Sequence, residues 1–417
     1  MDLTYFDTLT GSLEAWSPPG RRGVEMYVCG PTVYAPSHVG HARNYLLFDG
    51  VRRLLESAGS PVHQVQNITD FEDKITHRAA ALGISWRTLA RREERDFWQQ
   101  LRVLGIRPSE HRPRSSDFVL TMIRILRALE RKGMTYRKGG ALYFRASSAP
   151  AGRDFPAAEL LAEHAVADPG GIDTAEADNP LDFALWKPSE APAPCWNSPW
   201  GRGMPGWHIE CFAMAERYLT LPMDLHGGGL DLVFPHHYAE NLLCRAMTGR
   251  AFAQRFLHGA FVTRGDQKMS KSLGNLVLLS DALTQLTPGG LRWYLWGTHY
   301  RDRLEYDPRK AREADVRWRE TQRTFSRLFG AEGDTPAQSL ADGKEEVRSR
   351  MAQDLDFGGA LGRLEALSAG IRARRRPGLR RGERGRARKE LQALSALLGL
   401  PLLPEAPGPT SRTRVRT

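Results

Sequence analysis

Cysteine is scarce, with four in 417 residues at positions 29, 195, 211 and 244. So few and so scattered, they exclude the disulfide framework of a small secreted domain and leave metal binding or plain burial as their use. Long apolar runs are missing as well: none reaches the roughly 20 residues that cross a bilayer. The opening MDLTYFDTLTGSLEAW lacks the basic stretch and apolar core of a secretory signal. A cytoplasmic protein without a membrane role is therefore expected. There is no internal repeat. Most of the chain also lacks net charge: of the formal +11, residues 371–417 carry +10, with 13 Lys and Arg against 3 Asp and Glu. Their run IRARRRPGLRRGERGRARKE either tracks a phosphate backbone, with salt-dependent affinity, or is a solvated, partly disordered arm.

The length allows two or three domains around a sizeable core. Near the start, MYVC reads as a buried strand, residues 41–58 as an amphipathic helix stopped by Gly59, and VHQVQNI as a second strand. This is one βαβ unit of an open parallel sheet. Between strand and helix lies HVGH, with His38 and His41 around Gly40. A helix start offers unpaired N–H groups and the positive end of the dipole, so these histidines suit a phosphate site or simply cap the helix. Ligands of such sheets bind at the carboxyl ends of the strands, which would gather Cys29, His38, His41, Thr69 and Asp70 on one rim. Residues from about 116 to 205 break the pattern, with a helical FVLTMIRILRALERKG, a strand-like ALYFRAS and a Pro/Gly/Asp-rich stretch. We read them as an insertion between two halves of the sheet. The apolar spacing after residue 311, ending in ELQALSALLGL, predicts helices packed on one another.

Two further segments carry chemistry. QKMSKSLGN places Lys268 and Lys271 in a Gly-flanked stretch, which suits a mobile loop closing over a polyphosphate, or else a solvated basic loop. HHYAE puts His236 and Glu240 one helical turn apart, as two ligands of one zinc ion would be, with Cys29 and Cys211 as candidate thiolates. Spacing alone does not join these distant segments. Cys195 and Cys244 are assigned to burial.

HVGH with KMSKS resembles the signature pair of class I aminoacyl-tRNA synthetases. The ordered series YVCGPTVY, HVGH, NITD, NPLDFALW, SPWGRGMPGWHIEC, DLHGGGLDLVFPHH and KMSKSLGN is similar to the cysteinyl-tRNA synthetase branch of that family over roughly residues 1–310. The resemblance implies an α/β fold: a Rossmann-type parallel sheet with an inserted subdomain, followed by a C-terminal α-helical bundle. It implies zinc on Cys29, Cys211, His236 and Glu240, with the substrate cysteine bound near Cys29, Thr69, Trp207 and Asp231. ATP, carried with Mg2+, would lie against His38, Gly40, His41, the run Gly227, Gly228, Gly229, and Lys271, with His38, His41, Lys268 and Lys271 catalytic. The glycine run then reads as a loop for close approach of a ligand, or as an ordinary tight turn. Zinc would favour a thiol over a hydroxyl and so reject serine without an editing site.

By the same resemblance the divisions are 1–115, the first half of the catalytic domain; 116–205, the insertion; 206–262, the second half with the zinc site; 263–310, the KMSKS loop and stem-contact segment; and 311–417, a helical domain with a basic tail. The expected partners are tRNA(Cys), ATP and L-cysteine, and the expected state is a monomer. Three departures stand out. Tyr238 and Ala239 follow the His pair where the family has Glu-Asn, Phe71 and Glu72 replace an aliphatic residue and Asp, and no counterpart of the terminal anticodon-contacting domain is recognisable. The last of these also fits the related mycothiol-pathway ligase, which passes activated cysteine to the amine of a glucosaminyl-inositol. Glu240, Lys74 and the basic tail favour tRNA. A silent RNA-binding paralogue remains a third reading, although every signature residue is present.

Overall fold

The structure, a computed structural model, describes residues 2–156, 176–265, 267–268, 274–330 and 332–403. Its central sheet is parallel and its strands are buried at most positions, as in sheets covered on both faces, although Gln64, Gln66, His226 and His258 place polar side chains among the apolar ones. In space the strands run Phe256–Gly259, Leu225–Gly229, Val24–Val28, Val62–Gln66. Parallel bridges from Val65 to His111 and from Ile68 to Arg114 extend the last edge. From Val24–Val28 the chain crosses by the helix Val39–Ser57 towards that edge, whereas from Leu225–Gly229 it crosses by the helix Tyr238–Thr248 to the other. The connections part between the two middle strands. A crevice therefore opens at their carboxyl ends, the place where ligands of such sheets bind.

The helix expected over 41–58 begins at Val39 because His38 caps it. The insertion holds an antiparallel sheet of Thr135–Lys138, Ala141–Phe144, Phe183–Pro188 and Gly203–Pro205. Its last two strands lie in the stretch that composition alone marks as loop. The helix Val119–Arg131, within the range read as the insertion, also packs on the helices His208–Tyr218 and Tyr238–Thr248 of the catalytic layer. Its buried Met122, Ile123, Ile125, Leu126 and Leu129 form the stripe that allows this.

Beyond the sheet come Pro308–Arg327, Ala337–Ala352, Phe357–Arg372 and Arg384–Leu398, a helical bundle. The last of these corrects the reading of the basic arm. The end of the arginine-rich run, from Arg384, shares with most of ELQALSALLGL one helix that buries Ala387, Leu391, Leu394, Leu397 and Leu398 against Ala337–Ala352 and Val39–Ser57 and leaves Arg384, Arg386 and Arg388 exposed. Residues 404–417 of the tail lie outside the described residues. No helix among those described is long and apolar enough to cross a membrane.

Candidate active site and metal centre

Cys29 ends the strand Val24–Val28, its N–H donating to Gly227 O at 2.9 Å across the crevice. Cys211 sits in the first turn of His208–Tyr218, His236 just before Tyr238–Thr248, and Glu240 in the first turn of that helix. The sheet and two helices thus bring three distant segments to one buried point. The four ligand atoms lie within 4.8 Å of one another. Cys29 Sγ is 3.8 Å from Cys211 Sγ and 4.0 Å from Glu240 Oε1, and His236 Nε2 lies 3.4 Å from Cys211 Sγ and 3.1 Å from Glu240 Oε1. Two sulfurs, one imidazole and one carboxylate are a donor set that suits a divalent metal, zinc above all.

Three histidines went unnoticed in the sequence. His226 and His237 complete a second set with Cys29 and Glu240. His226 Nε2 is 2.7 Å from Glu240 Oε2, and His237 Nε2 is 3.3 Å from Cys29 Sγ. His258 Nε2 in turn contacts His237 Nδ1 at 2.7 Å. The adjacent His236-His237 pair and the strand-borne DLHGG were the available signals, but only the fold shows which imidazole faces which ligand. Burial alone would raise the Glu240 carboxyl; His236 and His226 outweigh it and hold it at about 2. Burial would likewise lower His236, yet Glu240 carries it up to about 10. The set therefore holds protons that a cation must displace, as metal binding to such ligands requires.

Around the centre, Trp207 stacks on His236 with centroids 4.1 Å apart and planes 12° from parallel. Thr69 Oγ1 donates to Glu210 Oε2 at 3.0 Å, and Ser115 Oγ donates to the same oxygen at 2.5 Å. Asp231 is exposed at the rim beyond Gly229. Burial pushes the Glu210 carboxyl up to about 8, against the lowering effect of the Ser115 and Thr69 hydroxyls. A carboxyl raised by folding stabilises below its unfolded value and loses that contribution as pH rises to its folded one. Glu210→Gln is accordingly expected to flatten the fall in melting temperature of the metal-free protein between about pH 4.5 and pH 8. An unchanged slope in thermal melts would place the titration elsewhere.

His38 and His41 stand at the start of Val39–Ser57. His38 Nδ1 accepts from Gly40 N at 3.1 Å, His41 Nδ1 accepts from His38 N at 3.4 Å, and the rings stack at 3.8 Å. The pair does cap the helix, so the plainer reading describes its geometry correctly. Residues 277–279, which follow the KMSKS segment, are tied to it: Val39 N donates to Val277 O at 3.0 Å and Leu279 N to Ser37 O at 2.9 Å. Lys268 pairs through its backbone with Thr263, whereas Lys271 lies outside the described residues.

Two expectations need correction. Gly227, Gly228 and Gly229 form a strand rather than a loop or tight turn. A Cβ on Gly227 would lie 2.3 Å from the Phe48 ring, so the missing side chain there lets the helix Val39–Ser57 sit on the sheet. Cys195 is half-buried, 3.2 Å from Arg202 Nη2, whereas Cys244 is fully buried as expected.

Residues 16–315 match the family model for the tRNA synthetases class I (C) catalytic domain. The chain belongs to that family. It is 42% identical over 308 residues to a Cysteine--tRNA ligase of Aeropyrum pernix, covering 73% of this chain and 64% of that protein. It is 37% identical to one of Heliobacterium modesticaldum, covering 87% and 77% of the two chains. Among solved structures, methionyl-tRNA synthetase of Mycobacterium tuberculosis with methionyl-adenylate superposes at a TM-score of 0.59 and 17% identity, covering 90% and 89%. The ternary LeuRS–tRNA–LeuAMS complex of Agrobacterium radiobacter gives 0.63 at 11% identity, covering 93% and 83%. At those identities the likeness is one of fold, and it is the class I fold with its parallel sheet and helices.

Proposed function

We propose that the chain activates L-cysteine with ATP, Mg2+ accompanying the nucleotide, and passes it to tRNA(Cys), releasing AMP and pyrophosphate. The observation that carries this reading is the buried Cys29, Cys211, His236 and Glu240 set in the crevice of a class I sheet. It is supported by 37–42% identity to proteins named Cysteine--tRNA ligase. These four residues would hold zinc. When bound, the ion supplies a Lewis-acidic position that prefers sulfur to oxygen and so favours cysteine over serine. Trp207 covers His236 and shields that side of the pocket from water. Thr69 borders it, and Asp231 offers at the rim a carboxylate suited to an α-ammonium group.

The histidine pair acts on the nucleotide. An imidazole whose Nδ1 accepts from a backbone N–H carries its proton on Nε2 as a donor, and both His38 and His41 are in that state. Together with the helix N-terminus they aim positive charge and hydrogen bonds at the α-phosphate, where negative charge builds as the cysteine carboxylate attacks and pyrophosphate leaves. Gly40 keeps that surface open. Lys268 and Lys271 lie on the segment whose continuation is bonded to residues 37–39, which supports their place at the leaving phosphates. Gly227 to Gly229 form the strand beneath.

His41→Ala should lower the rate of cysteine-dependent ATP–pyrophosphate exchange about 10²- to 10³-fold, the usual loss for one donor to a transition-state charge. The KM for cysteine should move less than about twofold, because the interaction arises only in the transition state. A raised KM with an intact rate would refute the role. The acceptor is tested with labelled cysteine and ATP, offering total tRNA in one tube and glucosaminyl-inositol in another. Base-labile label on tRNA is expected; label on the sugar amine alone would overturn the reading.

A further inference from the structure

We infer that Asp49 is a positioning residue for adenylate formation, an inference that rests on the activity proposed above. Its carboxylate clamps the helix Val39–Ser57, at whose start His38 and His41 stand, to Pro288–Trp296, the second helix after the KMSKS segment, and to the end of the C-terminal helix. Asp49 Oδ2 accepts from Arg53 Nε and from Arg292 Nη2, each at 2.8 Å, while Oδ1 accepts from Arg107 N at 3.1 Å. Arg292 also donates to Leu398 O at 3.0 Å and Leu104 O at 3.1 Å, and Arg53 to Ala396 O at 2.6 Å and Gly105 O at 2.8 Å. One carboxylate and two guanidinium groups thus join the helices Val39–Ser57, Pro288–Trp296 and Arg384–Leu398 and the turn at residues 104–107.

Stability alone does not account for charge in this place. The Asp49 side chain is 1% exposed and that of Arg292 is not exposed at all. A well-packed apolar replacement of such a pair is commonly as stable or more so, and the best-attested use of buried polar groups is to fix one register among several. The surroundings define which register. At Gly50 the helices approach so closely that a Cβ would lie 2.6 Å from Phe357 and 3.1 Å from Trp296, and Trp296 Nε1 donates to Leu46 O at 3.3 Å. Nearer its start, the same helix is bonded to residues 277–279. The stretch 277–296 therefore grips the histidine helix at two points. Asp49 lies about 12 Å along the axis from His41 at 1.5 Å per residue, and a helix moves as a rod, so a slip at the second grip carries the imidazoles with it. Misplacement by about 1 Å can cost on the order of 10²-fold in rate.

Asp49→Asn keeps the shape and removes the charge. Gly399→Ala keeps every charge but adds a methyl 2.5 Å from Arg292 Nη1, on a residue with φ of 62°. Cysteine-dependent ATP–pyrophosphate exchange is measured for both and for the wild type, at a temperature where circular dichroism shows each chain fully folded. Asp49→Asn is expected to lower kcat by about 10- to 100-fold and Gly399→Ala by a smaller factor, with the KM for cysteine within about twofold of wild type. Values of kcat within twofold of wild type in the folded variants would overturn the inference, and so would a rise in KM for cysteine that accounts for the loss. Should Asp49→Asn fail to fold, Gly399→Ala decides alone. A wild type that exchanges no pyrophosphate with cysteine would instead overturn the proposed activity, so the two failures are distinct.

Discussion

Cys211→Ser should cost the proposed zinc site its metal and lower cysteine-dependent exchange by about 10²-fold or more, because losses of about 10- to 100-fold follow even when only an outer-shell partner of a metal ligand is removed. The argument depends on which of two overlapping donor sets holds the ion. Both contain Cys29 and Glu240; one adds Cys211 and His236, the other His226 and His237. A second sulfur makes the first set the softer, and thiolate suits zinc better than a further imidazole does in a site that, on the proposed activity, would also admit a thiol. In the first set His226 and His237 keep their contacts to Glu240 and Cys29 and orient those ligands. Metal content after dialysis and competition with a chromogenic chelator separate the cases. A Cys211→Ser protein that retains one equivalent of zinc, beside a His237→Ala protein that loses it, would move the centre to the second set.

The donor set was legible in the sequence only in fragments. Period and spacing paired His236 with Glu240, because residues four apart share a helix face. Cys29 could be placed at the end of a strand by its apolar run. That the two ends meet at Cys211 depends on the connections parting between the middle strands, a property of topology that local pattern does not record. His226, His237 and His258 escaped for a related reason: a buried imidazole looks the same in sequence whether it packs against Phe or faces a ligand. The glycine run misled in the opposite direction. Three consecutive glycines suggest a turn, yet Gly227 is in a strand where the Phe48 ring fills the place of its side chain. The helix Val39–Ser57 was nearly complete in the sequence because its stripe and stop were both present, and the two residues missed at its start belong to an unusual cap, made by imidazoles rather than by Ser, Thr, Asp or Asn.

Composition misled most at the C-terminus, and the consequence is large. Deleting residues 384–417 should abolish a folded catalytic domain, where a solvated basic arm could be removed without harm. Leu391, Leu394, Leu397 and Leu398 are buried by this helix. At about 1.5–3 kcal/mol each, their combined loss is of the same order as the 5–15 kcal/mol that holds a whole domain folded. The damage extends inwards, since Arg292 and Arg53 would lose the carbonyls of Leu398 and Ala396 beside the Asp49 carboxylate, and buried donors left unmade are costly. The truncated chain is therefore expected to be insoluble, or to melt far below the full chain with no measurable exchange. A soluble truncated protein with the melting temperature and exchange rate of the full chain would show the helix to be an appendage. For the same reason deletion cannot measure RNA binding here. Arg384, Arg386 and Arg388 are exposed on that helix, so replacing them with glutamine leaves the buried stripe in place, and a lower salt slope in tRNA binding, with an unchanged melting temperature, would then report their phosphate contacts.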